Sequence, residues 1–195
     1  MFLFLNILNS SIIISAHVLF ILFGYKNRNE IKYSKLFFFI GIINVISFLI
    51  LLGFSVYIQM SDISLLFELF SLYLRVSFFL SFTVMLLTFG ICFIIIGLMN
   101  MVKFGMYLLI SGIVITISYI LLFFALLRIN ISPLQTNFYF FGGYYLVFSE
   151  LIAFIFILAQ GIKIKEKLLE LNGLLLILAR IISIILLGSL HTVLN

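Results

Sequence analysis

Six stretches of the chain, at about 3 to 24, 36 to 58, 76 to 98, 104 to 126, 139 to 160 and 174 to 194, are predominantly apolar. A helix crosses the hydrocarbon core of a bilayer in roughly 20 apolar residues, so each is long enough to span. Only 9% of the 195 residues are charged, against about 25% in soluble domains. A water-soluble fold has no interior large enough for that apolar surface. At ~1.5 Å per residue the length accommodates six or seven crossings with short connections and no soluble domain beside them. The fold class expected is all-α: one transmembrane helical domain over residues 1–195, a polytopic bundle of six transmembrane helices plus a short outer interfacial helix.

The charges set the expected threading. "YKNRNEIKYSK" carries Lys26, Arg28, Lys32 and Lys35, and "GIKIKEKLLELNG" carries Lys163, Lys165 and Lys167. Basic connections stay on the cytoplasmic side of a membrane. Four crossings separate the two, which places them on the same side; Lys103 in the third connection joins them. The opposite connections hold only Arg128 and the boundary residue Arg75. The expected location is the cell membrane, multi-pass, with both termini outside. The first apolar run has no basic residue ahead of it, the reverse of a cleavable signal peptide. The formal charge of +5 is therefore a topology signal, and no nucleic-acid partner is expected.

Residues 62 to 98 run without a breaker and as one helix would reach ~55 Å, well beyond a ~30 Å core. "SDISLLFELFSLYLR", with Ser61 as N-cap and Asp62, Glu68 and Arg75 along it, is expected to lie in or project from the outer interface. "RINISPLQTN", with Pro133, reads as an outer connection. In "NFYFFGGYYLVF", an aromatic belt, Gly142 and Gly143 either loosen the start of the fifth helix or allow close packing.

Polar residues inside the spans recur at steps of three, four or seven, as one helix face requires. They are Asn6, Ser10 and His17 in the first; Asn44, Ser47 and Ser55 in the second; Ser77, Ser81, Thr88 and Cys92 in the third. Gly143, Glu150, Ala153 and Gln160 follow in the fifth, and Gly173, Arg180, Ser183 and His191 in the sixth. A charge in the bilayer centre costs at least ~2.5 to 3.5 kcal/mol on insertion scales, so these faces turn inward. By rise per residue Arg180 lies ~9 Å inside the cytoplasmic boundary, His17 ~10 Å and Glu150 ~15 Å. The candidate buried polar site is therefore Glu150 with Arg180, with His17 nearby and Asn44 on a facing stripe, lining a cavity open to the cytoplasm. The plainer alternative has Arg180 snorkelling to headgroups and Glu150 protonated or bonded to Ser and Tyr neighbours. His191 and Arg75 fall near the outer interface, where anchoring is the default.

Catalytic and cofactor chemistry is not expected. There is no phosphate-binding glycine loop, no zinc-protease motif and no potassium-filter sequence. Cys92 stands alone, which excludes a thiolate cluster, and His17 and His191 lie in opposite halves of the bilayer. No metal, cofactor or enzyme activity is expected.

"LFGYKNRNEIKYSKLFFFIGI", "FELFSLYLRVSFFLSF" and "AQGIKIKEKLLELNGLLLILARIISIILLGSL" together resemble the N-terminal multi-helix membrane sensor region of some histidine kinases. That family has an outside N-terminus, a basic first cytoplasmic loop and a late basic linker running into an apolar helix. It has seven spans where six are counted here, and these residues include no kinase domain. The resemblance implies a stand-alone sensory or receptor-like module, signalling to a membrane or cytoplasmic protein partner at Lys26–Lys35 and Lys163–Lys167. The alternative function is a small transporter or channel component with a buried Glu/Arg site. Single cysteines replacing Asn29 and Lys165 in a Cys92→Ala background should be shielded from an impermeant maleimide in intact cells. Labelling of both would reverse the threading.

Overall fold

A computed structural model of the protein describes residues 2–59, 80, 83–101, 105–128 and 135–194. Among them there is no strand. Six helices follow one another: α1 (Phe2–Lys26), α2 (Lys35–Gln59), α3 (Thr83–Met99), α4 (Met106–Arg128), α5 (Gln135–Ile164) and α6 (Lys167–Leu194). Five are long and apolar enough to cross a membrane, and α3 is a shorter apolar helix over its described residues. The expected interfacial helix with Asp62, Glu68 and Arg75, and the connection at Pro133, lie outside the described residues, as does the His191 side chain.

Local chemistry ends the helices at the basic connections. At the end of α1 the Asn27 side chain folds back and donates to the Phe23 carbonyl at 3.1 Å, a second bond to an acceptor that the Asn27 backbone N–H also reaches at 3.1 Å. The chain then turns through residues 27–34 and enters α2 after Tyr33, which has a left-handed backbone (φ 63°). Between α5 and α6 the reversal is tighter. Lys165 takes φ 57°, the Glu166 N–H donates to the Gly161 carbonyl, and the Glu166 carbonyl accepts from Leu169 and Glu170. The sequence suggested a connection over 161 to 173; instead α5 continues to Ile164 and α6 begins at Lys167. The stretch "KEKLLEL" is made of strong helix formers, and its lysines reach solvent from a helix end as readily as from a loop.

The helices pack in sequence order, α1 on α2, α2 on α3 and onward to α6, and α6 closes the ring against α1. Neighbours are antiparallel. The three basic connections therefore share one end of the bundle, called here the basic end, and the start of α1 and the end of α6 lie at the far end. Isoleucine, leucine and phenylalanine cover the outer surface as well, for example Ile50, Phe124, Ile155 and Ile185. Helices apolar on both inward and outward faces suit a lipid surround.

Two devices bring the helices close. Glycines lie at the seams: a Cβ on Gly173 of α6 would stand 2.7 Å from the backbone N and Cα of Leu158 in α5, and one on Gly97 would meet Leu109 at 2.6 Å. Small residues at such crossings let backbones approach where lipid supplies no hydrophobic drive. The interior itself is filled with rings: Phe20, Phe37, Phe89, Phe93 and Phe154 have no exposed surface. Their neighbouring centroids lie 5.2 to 6.1 Å apart, several of them edge to face.

Within α3, residues Leu86–Cys92 form a π-helical segment. The Thr88 hydroxyl donates to the Val84 carbonyl at 2.7 Å, a side-chain bond that competes with the helix ladder. Gly143 and Gly142 do not loosen α5, which runs unbroken through both.

Gly173→Val should destabilise the bundle by about 1–3 kcal/mol through overpacking, read as unfolding in detergent. Gly53→Ala, where nothing lies within 4 Å, should be tolerated. Equal loss in both would contradict the seam.

Candidate functional site

The antiparallel register of α5 and α6 decides what Glu150 meets. Gly161 lies against Glu170 and Gly173 against Leu158, so the same pairing carried one step further along sets Glu150 beside Arg180. Arg180 Nε stands 2.5 Å from Glu150 Oε2. The Nε–H is not aligned on that oxygen, so the contact is a charge pair more than a directed hydrogen bond. The other carboxylate oxygen, Oε1, accepts from the Tyr119 hydroxyl of α4. The guanidinium also lies over the Phe154 ring, 5.6 Å from its centroid. Thus α4, α5 and α6 are tied at one level through a single carboxylate.

That level is deeper than the sequence implied for Arg180. Because α6 begins at Lys167 and α5 ends at Ile164, both partners sit about 20 Å along their helices from the basic end. The apparent offset between ~9 and ~15 Å came from placing a connection over residues that are helical.

Asn44 stands about 14 Å from the basic end by the same rise, nearer to it than Glu150. Its Nδ2 donates to Thr88 Oγ1 at 3.0 Å and to the Ile40 carbonyl at 2.8 Å, joining α2 to α3. His17 is buried and forms no ion pair with Glu150: its ring stacks on Phe20 at 6.4 Å and tilts against Phe89 at 5.8 Å, and Nδ1 has no hydrogen-bond partner. The structure therefore brings Glu150 and Arg180 into contact. It places Asn44 on a separate bond and joins His17 to the rest through rings: Phe89 touches Phe154 at 5.4 Å, and Phe154 carries Arg180.

The rings also bear on access. Phe20 lies nearer the basic end than His17, Phe37 nearer than Asn44, Phe93 nearer than Thr88, and Phe154 nearer than Glu150. The chain direction in each helix requires this order. Between Glu150 and the basic end, where the sequence led to an expected opening toward the cytoplasm, the described interior holds these phenylalanines together with buried Gln160, Asn172 and Ser111. In sequence these phenylalanines are indistinguishable from those that face lipid.

Along the seam of α1 with α6, Asn9 Nδ2 donates to Ser183 Oγ at 3.2 Å and Asn172 Nδ2 to the Ala16 carbonyl at 2.5 Å. The oxygens of both amides are buried without partners. Sequence reasoning singled out neither asparagine, nor Tyr119. Asn9 is one residue off the chosen stripe, and a tyrosine hydroxyl in an apolar run carries no sign of facing inward. Chemically the layer neutralises one carboxylate with one guanidinium and hydrogen-bonds it to one phenol, and among the described residues no three metal-ligating side chains converge.

Compared with protein-family models, with curated proteins and with solved structures, the chain matches none. Tyr119→Phe should cost about 1 to 2 kcal/mol, above the ~0.6 kcal/mol average for bonds between membrane helices because the acceptor is a carboxylate. Tyr145→Phe, at an exposed position, should be neutral. Matching unfolding curves for wild type and Tyr119→Phe would remove the phenol from the site.

Proposed function

We propose that this chain is a stand-alone sensory or receptor-like membrane module. It has six transmembrane crossings with α3 as the third, the basic connections in the cytoplasm and both termini outside. The observation that carries this reading is the cross-bonding of the three connections at the basic end. Lys26 of the first pairs with Glu166 of the last at 2.8 Å. The Asn100 side chain, at the end of α3, accepts from the Lys32 N–H at 3.1 Å and donates to the Lys32 carbonyl at 3.0 Å. At the start of α4, Tyr107 offers its ring to Lys163 at 5.2 Å and its N–H to Gln160 at 3.3 Å.

Exposed ion pairs add little stability; here they join helix ends into one face. A change in helix packing at the Glu150 layer moves the ends of α5 and α6, and with them the first connection. The buried pair is the element with two states: neutralising Glu150, or drawing Arg180 to a ligand, leaves the remaining charge uncompensated and favours repacking. A protein partner at Lys26–Lys35 and Lys163–Lys167 would read the change. The ring-filled interior supports signalling over conduction, which requires a continuous polar path.

Spin labels at Asn29 and Lys165 report the basic face. Their distance distribution should shift or broaden in Glu150→Gln relative to wild type. An unchanged distribution would contradict coupling between the layer and the face. In liposomes, proton or solute flux should stay at background; flux abolished by Glu150→Gln would overturn the sensor reading in favour of a small transporter.

A further inference from the structure

The connection between α1 and α2 is more highly built than a linker needs to be. Its turns are bonded in succession, Glu30 and Ile31 N–H to the Asn27 carbonyl, Ser34 N–H to Ile31 and Leu36 N–H to Tyr33. Lys32 is gripped through its backbone N–H and carbonyl by one side chain, Asn100. Tyr33 holds a left-handed backbone, which in a bulky residue persists only where the surroundings enforce it. The result is a fixed cleft of about 630 Å³ bounded by residues 28 to 36.

The cleft has a definite charge. Arg28, Lys32 and Lys35 line it with a single carboxylate, Glu30, so it carries two net positive charges. Lys26 is committed to Glu166 and takes no part. Tyrosine rings steady two of the cations: the Arg28 guanidinium lies 5.2 Å from the Tyr25 centroid and the Lys32 ammonium 5.8 Å from that of Tyr33. The same end also presents apolar surface, with Tyr25, Phe38 and Phe39 all exposed on the flanking turns of α1 and α2. An anionic group alone needs only the cations. Cations above exposed rings at the end of membrane helices match a ligand with an anionic head and apolar tails.

We infer that the cleft over residues 28–36 is a binding site for the phosphate headgroup of an anionic phospholipid, with its acyl chains along Phe38 and Phe39. The shared chemistry is a phosphate oxygen cluster, and a free phosphate is the rival source. The site goes beyond the sensor reading and does not depend on the Glu150–Arg180 pair, and a lipid headgroup there would share Arg28, Lys32 and Lys35 with the partner face proposed above.

The test uses the full chain, purified in detergent and titrated with phosphatidylglycerol or phosphatidylcholine, with bound lipid counted by native mass spectrometry. Wild type should retain phosphatidylglycerol in preference to phosphatidylcholine. Each cation lost in Arg28→Gln and Lys32→Gln should weaken that retention roughly fivefold, and Glu30→Gln should strengthen it. Lys163→Gln with Lys167→Gln, in the other basic connection, should leave it within about twofold, a surface-charge effect only. Arg28, Glu30, Lys32, Lys163 and Lys167 are all exposed, so these substitutions leave the core packing untouched. Unchanged retention in Arg28→Gln/Lys32→Gln, or an equal loss in the other connection, would overturn the site. Displacement of phosphatidylglycerol by millimolar inorganic phosphate would overturn the lipid assignment.

Discussion

A carboxylate buried among apolar helices has to be neutralised, and the way Glu150 meets that demand organises the bundle. Arg180 supplies the charge from α6, Tyr119 supplies a hydrogen bond from α4, and Phe154 lies under the guanidinium. Three of six helices are thereby held in register at one depth. In lipid this counts for more than burying another leucine, because tails are as apolar as side chains and apolar contact alone does not choose a partner helix.

The remaining order follows from keeping that layer intact. Gly173 and Gly161 let α5 and α6 approach closely enough for the charges to meet. The Asn44–Thr88 bond ties α2 to the π-helical part of α3 nearer the basic end. Toward the basic connections the pair is followed by the buried phenylalanine cluster, and such apolar surroundings lower the local dielectric and strengthen a charge pair once formed. In the sensory reading proposed above, a perturbation at the Glu150 layer would travel along the helices to an end face cross-bonded by Lys26, Glu166 and Asn100.

Charge patterning made the connections legible, because Lys26 to Lys35 and Lys163 to Lys167 stand out against apolar runs. The polar stripes were legible too, since Glu150, Gln160 and Thr88 fall at helical spacing and all are buried. Other features left no mark. A left-handed Lys165 compresses the last connection to a tight turn, and nothing in "KIKEK" distinguishes that from a loop. The π-helical segment depends on Thr88 competing with the backbone, which many membrane threonines do without consequence. Tyr119 and the five central phenylalanines required knowledge of which face turns inward, and helices apolar on every side conceal it.

The central claim is that Glu150 and Arg180 act as one unit. A double-mutant cycle with Glu150→Gln and Arg180→Met, followed by unfolding in detergent or bilayer discs, measures that directly. Each single variant is expected to cost about 3 kcal/mol or more, because it strands the other charge, and the double variant should cost at least about 1.5 kcal/mol less than their sum. Costs that add to within about 0.5 kcal/mol would show that the two charges are accommodated independently and would contradict the claim.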